Sequence, residues 1–383
     1  MFTEKQLQKI PDEIERLFRE MELDLLIDII DRIKRFDEIS RTADYELWVA
    51  TQMRQYDTDY RKIIQIVLNK TDDEMLSMFA EVLSEGYATD KALYQAAGIE
   101  YVPYERNDAL QQFVKSMVDQ CQGDLKNITG TIGFVLDNNG RYSETLSDYY
   151  KHLMNRAVVE TASGAFNYDQ TIKRITTEMA RSGIRTIDYE SGHHDRVDVA
   201  VRRAVMTGLN QSVQWIANDN AEKLDTEYFE VSAHVTARPS HAIWQGKVYT
   251  KEQLVSVCGL GTGPGLMGWN CYHHYDPFIP GVSVRKYSDK ELSDLYQKTQ
   301  EKHSYKGKEY TMYDATQHQR YLERRMRVQD EKIAMMKESG GSKDELRALK
   351  SRRTATYQEY KDFSDQMGLQ EQMNRVFNSE NVR

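Results

Sequence analysis

Cysteine is scarce: the 383 residues hold three, Cys121, Cys258 and Cys271, at irregular spacing. A disulfide framework is thereby excluded. Long apolar runs are missing too, since no stretch approaches the roughly 20 apolar residues of a membrane span, and a membrane is not among the expected partners. The charged start, Met1 to Ile10, lacks a signal-peptide core, so the chain is expected to be made in the cytoplasm and to stay there until assembled into something larger. Charge of one sign is lacking as well. Lys+Arg number 51 against 60 Asp+Glu, a net charge of −9 that argues against a dedicated nucleic-acid binder. The distribution is mildly uneven: residues 285–383 hold 21 basic and 17 acidic side chains, a balance of +4 against −13 in the remainder.

Proline is rare and unevenly placed. The six are Pro11, Pro103, Pro239, Pro264, Pro277 and Pro280. The last four lie in one stretch with Gly246, Gly259, Gly261, Gly263, Gly265, Gly268 and Gly281, which predicts turns, loops and short strands there. Either side is rich in Leu, Met, Glu, Lys, Arg and Gln and reads as helix. Ile14, Leu17, Phe18, Met21 and Leu25 recur at helical spacing over 11–36, with Pro11 suited to the first turn. Helices are also expected over 45–67, 73–85 and 108–121. Three amphipathic patterns follow, carried by Leu146, Tyr150, Leu153 and Ala157, by Ile172, Ile175 and Met179, and by Val197, Val201, Ala204, Val205 and Gly208. Phe229, Val231 and Ala233 alternate with polar residues, a strand pattern that can pair with 247–249. Leu322, Met326, Ile333 and Met336, then Leu346, Leu349, Thr356, Tyr360, Phe363 and Met367, predict two helices about Ser339-Gly340-Gly341-Ser342, an antiparallel hairpin. The fold class expected is mainly α with a small α+β central domain. It divides into a helical N-terminal region, 1–140, a loop-rich core with short antiparallel strands, 141–285, and a C-terminal helical hairpin, 286–383.

Reactive side chains concentrate in the broken stretch: His234, Arg238, His241, Trp244, Cys258, Trp269, Cys271, His273 and His274. Thiolate and imidazole bind zinc tetrahedrally, and His234, His241, Cys271 and His273 would supply four ligands. The spacing matches no paired CxxC or HxxxH pattern, and Cys271-Tyr272-His273 would have to turn two ligands inward across one residue. The expectation is therefore no cofactor and a core knitted by buried His, Cys and Trp, with structural zinc as the alternative. A cysteine hydrolase would need Cys271 or Cys258 activated by His241 or His273, and no thiol-hydrolase signature surrounds either. The run Gly259 to Gly265 lacks the Gly-Lys-Ser/Thr of a phosphate-binding loop, and Pro264 removes a donor. Asp24, Asp28 and Asp31 share a helix face, read as solvated rather than metal-binding. Asp195 after His193-His194 fits a helix N-cap.

Thr236-Ala237-Arg238-Pro239-Ser240-His241-Ala242-Ile243-Trp244-Gln245-Gly246-Lys247-Val248-Tyr249 resembles the hallmark of phage minor capsid proteins related to the phage Mu F-like head-morphogenesis group. A second block agrees, Gly268-Trp269-Asn270-Cys271-Tyr272-His273-His274 followed by Pro277-Phe278-Ile279-Pro280-Gly281-Val282-Ser283. That family typically has a basic residue after the cysteine, where Tyr272 stands. The helical flanks fit its layout, so the resemblance covers nearly the whole chain. It implies a non-enzymatic structural component of the phage head, present in few copies and assembled through the portal protein with capsid or scaffold proteins. It also implies association with double-stranded DNA at packaging or ejection. Arg238, His241, Trp244, Gly246, Lys247, Gly268, Trp269, Asn270, Cys271 and His273 are then the structural motif core. Arg324, Arg325, Arg327, Arg352 and Arg353 are candidate phosphate contacts. The alternative function is a metal-dependent or cysteine hydrolase built on the central His/Cys cluster.

Overall fold

The structure, a computed structural model, describes residues 4–39, 45–136, 142–162, 168–187 and 193–376. The first three residues of the charged start and the tail beyond 376 lie outside the described residues. The helices are α1 (Glu4–Ile39), α2 (Tyr45–Ala88), α3 (Lys91–Ala97), α4 (Asp108–Gly130), α5 (Leu146–Ala162), α6 (Tyr168–Ser182), α7 (Val197–Lys223), α8 (Pro239–Ala242), α9 (Lys251–Ser256), α10 (Asp289–Gln300), α11 (Met312–Glu338), α12 (Lys343–Met367) and α13 (Met373–Val376). The strands are β1 (Ile132–Val135), β2 (Ser143–Thr145), β3 (Arg185–Ile187), β4 (His194–Arg196), β5 (Tyr228–Val231), β6 (Val248–Thr250), β7 (Tyr275–Phe278), β8 (His303–Tyr305) and β9 (Lys308–Tyr310). The protein is mainly α with small antiparallel sheets, as its sequence predicts.

Apolar periodicity places the helices well, but two details differ. Pro11 lies inside α1 rather than at its start. The helix begins earlier because Leu7 and Ile10 bury beside Ile14, Leu17 and Phe18, and that burial holds the turn across the missing proline N–H. The two helices expected over 45–67 and 73–85 are one, α2, because Leu68 to Asp72 contains no breaker and Thr71 hydrogen-bonds back to the Val67 carbonyl at 2.8 Å. Helices α1, α2, α4 and α7 pack on one another around a buried cluster that runs from Leu7 to Ile216 and takes in Met335 of α11. The four-stranded sheet β2-β1-β3-β4, made of three- and four-residue strands between helices, is not foreshadowed in the hydrophobic pattern.

Asp195 is no N-cap. It sits in β4 opposite Thr186, and its carboxylate accepts from Arg203 at 2.6 Å and meets His193 at 3.0 Å, while Arg196 occupies the cap position of α7. The strand expected over 229–233 forms over Tyr228–Val231: β5 pairs antiparallel with β6, Phe229 opposite Tyr249, and on its other edge with β7, while Ala233 lies beyond the strand and Glu230 is buried rather than facing solvent, its carboxylate accepting the Lys286 N–H. Trp244, Leu254, Cys258, Leu266 and Tyr275 fill the core beneath this sheet. The tail forms the predicted hairpin. Helices α11 and α12 pair across Ser339 to Ser342 and bury Leu322, Met326, Tyr360, Phe363 and Met367 with Tyr305 and Tyr310 of β8 and β9.

Candidate metal centre and its cleft

The glycine-rich stretch has a stereochemical task. Gly265 packs against backbone so closely that a Cβ would lie 2.0 Å from the Gly259 carbonyl oxygen. Met267 and Asn270 adopt positive φ (57° and 53°), and the Cys271 N–H closes onto the Gly268 carbonyl at 3.1 Å. This knot aims the Pro264 carbonyl at His241, whose Nε2 lies 2.8 Å away. His241 itself is set by α8, which begins at Pro239 after the extended Arg238. The Arg238 guanidinium donates to the Trp269 carbonyl at 2.7 Å, tying the first sequence block to the second.

Cys271 and His273 stand two residues apart on the approach to β7, and both do turn inward. Three atoms converge there. His241 Nδ1 is 3.4 Å from His273 Nδ1, and Cys271 Sγ is 3.7 Å and 3.6 Å from the two nitrogens. All three side chains are buried. His273 Nε2 lies 3.0 Å from Gln245 Oε1, an oxygen that also accepts the His234 backbone N–H at 2.9 Å. His234, the fourth residue of the predicted ligand set, lies outside this convergence. Its ring stacks on His273 with centroids 4.2 Å apart, Nδ1 meets the Thr236 hydroxyl, and Nε2 is buried with no hydrogen-bond partner. Among the described residues, Asp24, Asp28 and Asp31 form no such group.

Electrostatics disfavour a thiolate nucleophile in this cluster as it stands. Burial pushes the Cys271 thiol above its ordinary range, and burial likewise lowers His241 and takes His273 well below the usual imidazole value. Cys258 lies apart, its thiol pushed up to about 12 by burial in the sheet core. Burial also lowers His234 to about 4.

The remaining motif residues are architectural in their contacts. Trp244 is buried, its ring 4.5 Å from His241 and 5.0 Å from His273. Gly246 has φ +72°, and a Cβ there would meet Leu292 Cδ2 at 2.2 Å. Lys247 is exposed and donates to the Ile243 carbonyl at 2.8 Å. Trp269, although 64% exposed, lies against Gly263 closely enough to leave no room for a Cβ. Nothing in the sequence marks Gln245 or Pro264 as part of a centre. A glutamine and a proline carry no ligand chemistry of their own, and only the fold shows what their oxygens face.

The cluster borders a cleft of about 450 Å³ between the loops around α8 and β7, helices α1, α7 and α11, and the segment leading into α13. Tyr272 enters it, and its hydroxyl accepts from Arg202 at 3.2 Å and Arg320 at 3.4 Å. Arg324 is exposed at its edge, and Arg352 is exposed on α12. Arg325 is half exposed with Glu359 3.8 Å away. Arg327 is buried against Asp198 and Glu331, and Arg353 grips Asp330 at 2.9 Å and 3.0 Å, so the charges of both are spent inside the protein.

The sequence model of the family described as phage minor capsid protein 2 matches residues 2–365, both central blocks included. The chain belongs to that family. This phage minor capsid protein is thus of a structural class whose place is the virion, and its associates are other phage head proteins. No curated protein and no solved structure gave a match. No helix among the described residues is long and apolar enough to cross a membrane.

Proposed function

We propose that this minor capsid protein joins the phage head at the portal during assembly, in few copies, and lies against the packaged DNA at packaging or ejection. The observation that carries the reading is the family match over nearly the whole chain, supported by the fold bringing His241 of one sequence block together with Cys271 and His273 of the other in one buried cluster. The shape supports it. A helical body of α1, α2, α4 and α7 packs against the small sheet through α7 and against α11 of the hairpin through α1, and such a body offers surface for a ring-shaped partner and for DNA. Capsid or scaffold proteins are the further partners, and host cytoplasm the site of assembly. DNA contact falls to Arg324, Arg325 and Arg352, whose guanidiniums reach solvent, and excludes Arg327 and Arg353.

Purified chain mixed with the cognate portal ring is expected to cosediment with it at a fixed stoichiometry. A chain that stays at the top of the gradient with portal in excess overturns the portal assignment.

A further inference from the structure

We infer that His241, Cys271 and His273 form a zinc-class metal site, with Nδ1, Sγ and Nδ1 as its three protein ligands and an exchangeable fourth position toward the cleft. The inference is independent of the portal reading. It rests first on tautomers. A carbonyl oxygen accepts only from an N–H, so His241 Nε2, 2.8 Å from the Pro264 oxygen, carries that ring's proton. Gln245 Oε1 is identified as the oxygen because it accepts the His234 backbone N–H, so His273 Nε2 carries its proton as well. Each neutral ring therefore turns a lone pair at the other across 3.4 Å. The single thiol proton of Cys271 can satisfy one of them, and the second is left facing an acceptor in a buried site.

A divalent cation removes the conflict. It displaces the thiol proton to solvent and receives all three lone pairs. The spacing agrees with this. Zn–N near 2.05 Å and Zn–S near 2.3 Å at tetrahedral angles put two nitrogens about 3.35 Å apart and a nitrogen and sulfur about 3.55 Å apart. The edges found are 3.4, 3.6 and 3.7 Å. Both histidines also have the outer acceptor that metal-bound imidazoles use to fix ring and tautomer, supplied by Pro264 and Gln245. One thiolate and two neutral imidazoles leave the site with residual positive charge. The fourth corner, toward the cleft that all three residues border, suits water or a small anion.

The test uses the full chain expressed with cobalt in place of zinc. Expected are one cobalt per chain, d–d bands of tetrahedral intensity, a thiolate-to-cobalt charge-transfer band, and a shift of the d–d bands on adding azide. The charge-transfer band is lost in Cys271→Ser and kept in Cys258→Ser and Cys121→Ser. His234→Ala still holds one metal. A folded chain that takes up less than about a tenth of an equivalent overturns the site. So do octahedral bands, a charge-transfer band that survives Cys271→Ser, loss of metal in His234→Ala, or bands that ignore azide. Should Cys271→Ser not fold, alkylation of the wild-type chain decides: zinc is expected to protect Cys271, and equal labelling with and without zinc overturns the assignment.

Discussion

Gln245 and Pro264 set the chemistry of their neighbours without any reactive group of their own. Each offers one oxygen to an imidazole Nε2, and that fixes which nitrogen of His241 and His273 faces Cys271. Glu323 of α11 shows a different kind of residue-level control. It is buried beside Arg320, Glu15, Asp12 and Arg19, and burial raises its carboxyl from 4.5 to about 7. A folded-state value above the unfolded one gives stability that is complete below pH 4.5 and is lost as pH rises through 7. Glu323→Gln, which is neutral throughout, should therefore match the wild type near pH 4 and exceed it by about 3 kcal/mol near pH 8. Urea denaturation at the two pH values measures this, and a variant no more stable than wild type at the higher pH contradicts it.

Among elements, the α11–α12 hairpin separates what the sequence shows from what only the fold shows. Its two helices and the Ser339 to Ser342 turn are legible because apolar residues at three-four spacing stop at a pair of glycines, of which Gly340 takes positive φ. The β5–β6 pairing is legible from Phe229 and Val231, but the burial of Glu230 between them is not, because a period-two pattern places it toward solvent. Which arginines are free is not legible, because Arg327 and Arg353 differ from Arg324 and Arg352 only in what the fold brings beside them. If the hairpin meets DNA, replacing Arg324, Arg325 and Arg352 together by glutamine should lower the slope of log affinity against log salt by about 0.9 for each phosphate no longer neutralised. Filter binding across a salt series reads the slope, and an unchanged slope contradicts the DNA assignment.

For the whole molecule, distant segments are joined by buried ion pairs in addition to apolar surface. Arg196 of β4 meets Glu22 of α1 at 2.8 Å and Glu331 of α11 at 2.6 Å, and Arg327 of α11 meets Asp198 of α7. Asp12 of α1 accepts from Arg202 of α7 and Arg375 of α13. The hairpin is thus docked on the helical body rather than reaching away from it as an extension. Sequence patterns cannot show this, because the partners lie more than a hundred residues apart and charged residues have no period that marks them as interior. The His/Cys cluster is legible only in part: His241, Cys271 and His273 stand out as candidate ligands in the sequence, but only the fold leaves His234 outside their convergence and sets the oxygens of Gln245 and Pro264 against the two imidazoles.

We propose this phage minor capsid protein as a portal-vertex component of the assembled head. Purified heads, disassembled in steps and fractionated, test it most directly. The chain should appear in heads at far lower copy number than the major capsid protein and leave with the portal fraction. Its absence from purified heads and procapsids, or its even release with the major shell protein, would contradict the account.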